Sequence, residues 1–126
     1  MICINDTDTR TDREKLKSAF KQLRRMLYKA RLGASKNEVS RMKQDAEFGL
    51  AWIAPKFMSY DDTTVHGPSR WDGETDELTG TLVINFQAHY DDDAETLGRV
   101  LVDALTWRGF IVSWNGDIDQ AIEISK

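Results

Sequence analysis

The fold is decided by residues 81–124, TLVINFQAHYDDDAETLGRVLVDALTWRGFIVSWNGDIDQAIEI. Apolar and polar side chains alternate over Thr81–His89, a pattern that predicts a strand with one buried face. Asp91–Asp93 then predicts the start of a helix, because carboxylates cap free N–H groups and complement the positive end of the helix dipole. Asp92 and Glu95 have the spacing of a capping box. The segment therefore predicts a strand followed directly by a helix.

Two more strands are expected after this helix. Gly109 fits the left-handed position that ends a helix. We predict strands at Phe110–Trp114 and Ala121–Ile124, joined by a hairpin turn at Asn115-Gly116. A right-handed crossover makes the first two strands of this β-α-β-β unit parallel, and the third runs antiparallel to the second.

The N-terminal part predicts two helices that turn back on each other. Thr11 and Glu14 have the spacing of a capping box, and so do Ser35 and Glu38. Apolar residues recur every three or four positions after each box, as on one face of a helix. Only a few residues join the two patterns, so residues 11–54 are interpreted as a basic antiparallel αα-hairpin.

Residues 55–80 are predicted to be a long loop. A connection of this length without structure is uncommon in a compact domain, so it either hides a short strand, at Lys56–Tyr60 or Thr63–His66, or serves as a binding loop. Residues 1–126 as a whole are predicted to form a single α+β domain, in which the helical hairpin packs on the small mixed sheet.

Composition narrows the class of protein. The chain has 126 residues, of which 40% are hydrophobic and 30% are charged, and it has one Cys. This size and composition predict one folded core, and one Cys excludes an intrachain disulfide and a Cys-rich zinc site. The sequence shows no signal peptide and no apolar run near the about 18 residues of a membrane span. We expect a cytoplasmic protein with no membrane partner.

The net charge of −4 hides a strong asymmetry. Residues 1–48 hold 12 Lys and Arg against 7 Asp and Glu, a net charge of +5, whereas residues 49–126 hold 5 against 14, a net charge of −9. Within Arg13–Lys43 there are 11 basic and 2 acidic residues. Such asymmetry indicates an interaction surface rather than a fold.

The basic residues concentrate on one face of the predicted first helix. Like charges at four-residue intervals destabilise an isolated helix by a few tenths of a kcal/mol per pair, so this face is expected to meet something negative. One alternative is that this face is simply solvated or is neutralised by this chain's own acidic half. The others are that it binds a protein partner, or that it binds nucleic acid, on which Tyr28 could stack. Trp71, in the long loop, is either an exposed anchor or folded onto the core. The predicted partner-binding residues are Lys17, Lys21, Arg24, Arg25, Tyr28, Lys29, Arg31 and Trp71.

The sequence offers few candidates for catalysis or metal binding. His89 and Asp91 are the candidate metal ligands, with His66 able to join them, but helix capping explains the acidic cluster without a cation. No motif of a serine hydrolase, a zinc protease or a phosphate-binding loop is present. Cys3 with a His is a candidate nucleophile, but nothing lowers the pKa of its thiol in an identifiable way. The sequence predicts no catalytic residue, no metal and no cofactor.

The stretches LGRVLVDAL (97–105), GF (109–110), VSWNG (112–116) and IEI (122–124) form a pattern of helix, glycine stop, strand, turn and strand. In this pattern residues 81–124 resemble the C-terminal module of a family of uncharacterised bacterial proteins of unknown function. The resemblance implies a fold module and no activity.

These observations favour a small non-enzymatic interaction or regulatory protein that binds a macromolecular partner by charge complementarity. An inhibitor or immunity-type protein of a bacterium, phage or mobile element would fit this size. An acidic protein surface or a homo-oligomer is the favoured partner. The alternatives are nucleic-acid binding by the basic face and imitation of nucleic acid by the acidic C-terminal half. An enzyme would need a pocket near His89 and Asp91, with residues 55–80 as its lid.

Overall fold

The computed structural model describes residues 10–60 and 70–126. Its described strands form one mixed, five-stranded sheet in the order β1-β2-β3-β5-β4, so the predicted α+β class is confirmed. No described helix combines the length and apolarity needed to cross a membrane. The elements are α1 (Asp12–Arg25), β1 (Lys29–Leu32), α2 (Lys36–Asp45), β2 (Leu50–Ile53), α3 (Pro55–Met58), β3 (Leu82–Gln87), α4 (Asp91–Trp107), β4 (Ile111–Ser113) and β5 (Ile122–Ser125).

The αα-hairpin predicted for residues 11–54 is wrong, because a strand follows each of its two helices. Helix α1 ends at Arg25, and Leu27 adopts a left-handed φ of 70° that turns the chain out of the helix. The next residues form β1, which pairs in parallel with β2. The N-terminal part is therefore α-β-α-β, and both strands join the same sheet as the C-terminal unit.

The start of each N-terminal helix agrees with the sequence. Thr11 and Glu14 form a reciprocal capping box at the start of α1, and Ser35 and Glu38 form one at the start of α2. Each box satisfies backbone N–H groups that have no partner within the helix.

The C-terminal unit has the predicted strand directions. Strands β3 and β4 both pair antiparallel with β5, so they run in the same direction, as a right-handed crossover requires. Strand β5 lies between them in the sheet. The connection from β4 to β5 spans residues 114–121 and is longer than a two-residue hairpin turn at Asn115-Gly116.

The two ends of α4 differ in how well the sequence predicts them. The helix begins at Asp91 with Tyr90 as its N-cap, so the Asp92–Glu95 capping box does not form. At the other end Gly109 is left-handed, with a φ of 95°, and the Phe110 N–H donates to the Leu105 carbonyl oxygen at 3.2 Å. This is the bonding pattern of a glycine-terminated helix.

The core lies between one face of the sheet and the helices α1 and α4. Alternate strand residues such as Ala51, Ile84 and Ile122 point to this face and are fully buried. Leucines of both helices, among them Leu16 and Leu101, belong to the same apolar cluster. The opposite face carries Arg31, whose ion pair with Glu38 joins β1 to α2.

Gly98 lets the far edge of the sheet pack closely on α4. A Cβ at this position would lie 2.5 Å from the Trp114 ring, a separation that real side chains do not reach. Trp114 also meets Phe86 edge to face, with ring centroids 5.7 Å apart. A glycine inside this helix is therefore required by packing.

The connection between α3 and β3 does not contain the predicted strand at Lys56–Tyr60, because Pro55 begins the short helix α3 there. Thr63–His66, together with Cys3, lies outside the described residues. The one strand-like contact in the described part of this connection is an isolated antiparallel bridge between Trp71 and Leu78.

Candidate protein-interaction site

The basic side chains of α1 lie on its exposed side. The helix buries Leu16, Phe20 and Leu23 against the core, which turns the positions between them outward. The outward set is exposed and consists of Lys17, Lys21, Arg24 and Arg25.

Three of these cations make no ion pair with the acidic half of the chain in the described parts. Lys17, Lys21 and Arg25 make no ion pair with any residue in the ranges 10–60 and 70–126. The ion pairs of other cations are made elsewhere, by residues such as Arg31 and Lys126. Within the described residues, no direct ion pair therefore joins these three cations to the acidic half of the chain.

An open groove runs between α1 and α4 and has a basic section. Its walls include Lys17, Lys21 and Arg25 from α1, and Trp107 from the last turn of α4. Trp107 is 54% exposed. We call this feature the Trp107 groove. It combines several cations with one exposed indole, the arrangement found in the anchor residues of protein interfaces.

Arg108 fixes the position of Trp107. Its guanidinium group donates hydrogen bonds to the Ala104 carbonyl oxygen at 2.9 Å, to the Gln22 Oε1 at 3.0 Å and to the Ser18 Oγ at 3.2 Å. The same group lies 5.4 Å from the centre of the Trp107 ring. The buried Arg108 thus ties α4 to α1 and holds the indole at the groove.

The groove continues as a more apolar section toward the end of α1. Met26, which is 43% exposed, and the half-buried Val100 line it together with Trp107. The carboxylate-bearing side chain of Asp103 lines the same section. A partner seated along the whole groove would therefore meet cations, apolar side chains and one acidic residue.

Two of the predicted contact residues are buried instead. Tyr28 is 8% exposed, so its ring is not available for stacking, and burial together with the nearby Asp93 raises its pKa. Trp71 is 3% exposed, and its Nε1 donates to the Phe57 carbonyl oxygen at 2.8 Å. Trp71 is therefore folded onto the core and is not an exposed anchor.

The other two predicted cations lie outside the helix. Lys29 and Arg31 lie on β1, the strand at one edge of the sheet. Both are exposed, and charged side chains at this position discourage other chains from pairing with the edge. The structure thus unites four of the predicted residues on α1 and places these two on a neighbouring strand.

Trp107 lines the groove but is not among the predicted contact residues. The buried positions of α4 include Leu97, Leu101 and Leu105, and the next residue on this stripe is Arg108. The sequence contains a signal for the exposure of Trp107. Three residues after Leu105 the helical spacing reaches Arg108, so Arg108 rather than Trp107 points inward.

The candidate metal ligands have other environments. The His89 Nε2 lies 3.1 Å from the Ala46 carbonyl oxygen, at the end of α2, so the ring nitrogen donates a hydrogen bond there. Asp91 is exposed in the first turn of α4. The described residues contain no group of three His, Cys, Asp or Glu side chains that could hold a metal ion.

A scan against protein-family models, a search of curated proteins and a search of solved structures found no match for this chain. The resemblance of residues 81–124 to a bacterial family stays a prediction.

Proposed function

We propose that this is a small non-enzymatic interaction protein that binds an acidic surface of a protein partner in the Trp107 groove. The proposal rests on one observation: Lys17, Lys21 and Arg25 are exposed and have no ionic partner among the described residues. Adjacent like charges destabilise the free helix slightly, and a partner that supplies carboxylates removes this repulsion. A regulatory role would follow if the protein covers the partner's acidic surface.

The apolar side chains of the groove favour a protein partner over nucleic acid. Trp107 and Met26 offer exposed apolar area, which a protein partner can cover with its own apolar side chains. Asp103 and Glu14 also line the groove, and each would repel phosphate groups. A protein surface can avoid both carboxylates, whereas a phosphate backbone carries charge at every nucleotide.

Nucleic-acid binding is the second candidate function. An exposed indole beside several cations can stack on a base while Lys and Arg neutralise phosphates, and Trp107 has these neighbours. This candidate predicts affinity that falls steeply with salt.

The test uses three defined probes in isothermal titration calorimetry: a random copolymer of Glu and Tyr, poly-L-glutamate, and single-stranded DNA of mixed sequence. We expect the copolymer to bind most tightly, because it supplies both carboxylates and rings. Lys17→Glu combined with Lys21→Glu should weaken its binding by at least about tenfold. Trp107→Ala should remove the preference for the copolymer over poly-L-glutamate.

The matched control is Arg41→Glu with Lys43→Glu, which makes the same change in net charge on the exposed side of α2. This control should bind the copolymer like the wild type. Equal loss in the two double variants would show that only the net charge matters and would overturn the proposal. Tighter binding of DNA than of either polymer, lost in the α1 variant, would replace it by the nucleic-acid function.

A further inference from the structure

Leu27 is poorly suited to its position in the fold. It follows α1 with a φ of 70°, and the Tyr28 N–H closes the helix by donating to the Leu23 carbonyl oxygen at 3.1 Å. Glycine is the residue this left-handed position favours, because a Cβ there is strained. Leu27 is nevertheless 64% exposed, so burial does not compensate for the strain.

Tyr90 shows the same kind of conflict at the start of α4. It is the N-cap residue, but its side chain makes no capping hydrogen bond, and it is 71% exposed. Ser, Thr, Asp and Asn are preferred at this position because their side chains satisfy a free N–H group. Residues that are unfavourable for the local backbone structure, and that gain no compensating packing, are concentrated at functional sites.

The two residues lie at the same end of the sheet. Lys29 on β1 pairs with Leu50 on β2, and Leu50 pairs with Gln87 on β3. Lys29 and Gln87 are therefore two strands apart, about 10 Å. Leu27 precedes Lys29 by two residues and Tyr90 follows Gln87 by three, so their surroundings are neighbouring surfaces.

These surfaces carry opposite charges. Arg24, Arg25 and Lys29 surround Leu27 in sequence and are exposed. Tyr90 is followed by Asp91 and Asp92, which are also exposed. No ion pair among the described residues joins the two groups. We call them the Leu27 patch and the Tyr90 patch.

We propose that a second copy of this chain binds here, as a twofold dimer in which the Leu27 patch of each copy covers the Tyr90 patch of the other. Neighbouring patches of opposite charge become self-complementary under a twofold rotation, and each contact is then made twice. Superposing like patches would bring arginine against arginine, which charge repulsion disfavours. The inference rests on the proposed function insofar as both assign the cations of α1 to an acidic protein surface.

The test is sedimentation velocity of the full chain at low salt, from micromolar to millimolar concentration. The wild type should change from a monomer of 14.4 kDa to a species of twice that mass. Leu27→Gly relieves the left-handed strain and Tyr90→Ser supplies a cap, so each should raise the melting temperature. Each should also weaken dimerisation by at least about tenfold, because each removes an exposed anchor. Loss of the dimer with a gain in stability cannot be attributed to misfolding.

Mixing the two variants gives a sharper result. A mixed dimer keeps one contact in which both anchors are present, so the mixture should dimerise more strongly than either variant alone. Ile111→Ser is the control, since it removes another exposed apolar side chain, 63% exposed on β4, and should leave dimerisation unchanged.

A wild type that stays at 14.4 kDa up to millimolar concentration would overturn the inference, as would variants that dimerise like the wild type. The copolymer titration separates this from failure of the proposed function. If Lys17→Glu with Lys21→Glu abolishes copolymer binding while the wild type is monomeric, the groove binds a different protein and only the dimer is refuted.

Discussion

The first turn of α1 and its exposed side carry cations in opposite situations. Arg13, in the first turn, is 9% exposed, and its guanidinium carbon lies 4.1 Å from the centre of the Tyr60 ring and 4.3 Å from that of Trp71. Its Nη2 also donates to the Met58 carbonyl oxygen at 2.8 Å. Lys21 and Arg25, two to three turns later, are exposed and have no ionic partner among the described residues.

The neighbouring carboxylate is used by the fold as well. Asp12 is 2% exposed and accepts a hydrogen bond from the Leu78 N–H at 2.8 Å. The Lys126 Nζ lies 3.3 Å from it and also pairs with Glu77. The first turn thus joins the long connection and the last residue of the chain. The cations of α1 therefore belong to two groups, one that holds the fold together and one that is exposed. Only the exposed group is available to a partner.

Replacing Arg13 by Met gives the largest expected effect that tests this comparison. Met preserves much of the side-chain volume but removes the hydrogen bond to Met58 and the contacts of the cation with two rings. We expect the free energy of unfolding to fall by about 2–3 kcal/mol, measured by urea denaturation. Lys17→Met, on the exposed side, should change it by less than about 0.5 kcal/mol. Equal losses would mean that Arg13 is no more structural than Lys17.

Local patterns predicted the starts of α1 and α2 but not the N-terminal strands. A capping box is complete within four residues, so Thr11 and Ser35 identify their helices without knowledge of the rest of the fold. The strand Lys29–Leu32 has four residues, and its apolar positions fit a helical stripe as well as an alternating strand. Its hydrogen bonds go to Leu50–Ile53, and the left-handed position after α1 is taken by Leu27 rather than by a glycine, so no glycine marks the end of the helix.

Helical spacing also predicted some residues of the candidate site better than others. Helical spacing placed Lys17, Lys21 and Arg25 on one face correctly, because the chain is helical as far as Arg25. The sequence left open whether Trp71 is exposed or folded onto the core, and Trp107 is not among the predicted contact residues. Trp71 is buried against Arg13, which is distant in sequence, so periodicity within one element does not contain that contact. Trp107 is exposed because the neighbouring Arg108 takes the inward position, which helical spacing on α4 does indicate.

Replacing Asp12 by Asn should have an intermediate effect that depends on pH. Burial alone would raise the pKa of Asp12, but the Glu77 carboxyl group, the Leu78 N–H and the Lys126 ammonium group outweigh it and hold the pKa below its usual value of 3.8. A carboxyl group with a lowered pKa stabilises the fold fully above that usual value and loses its contribution as the pH falls through the folded value. We expect Asn to cost about 1–2 kcal/mol at neutral pH.

Urea denaturation at a series of pH values checks this expectation. The difference between the wild type and Asp12→Asn should shrink as the pH falls below about 4. The variant should keep some acid sensitivity, because hydrogen bonds to Ser35 and to backbone N–H groups lower the pKa values of Glu38 and Asp72. The exposed Asp103 serves as the control, and its replacement by Asn should change the free energy of unfolding at neutral pH by less than about 0.5 kcal/mol. A constant difference at all pH values would show that the Asp12 charge does not contribute.

The smallest expected effect has the opposite sign. Lys17→Gln with Lys21→Gln removes two like charges one helical turn apart, so the free energy of unfolding should rise by about 0.2–0.5 kcal/mol at low salt. High salt should abolish the gain, because both side chains are exposed to solvent. Arg41→Gln with Lys43→Gln, whose positions do not face each other on α2, should give a smaller gain. A gain that persists at high salt would point to helix propensity rather than to charge. If both predictions hold, removing a cation stabilises the protein when the cation lies on the exposed side of α1 and destabilises it when the cation is Arg13. This is the result expected if only the exposed cations are available to a partner.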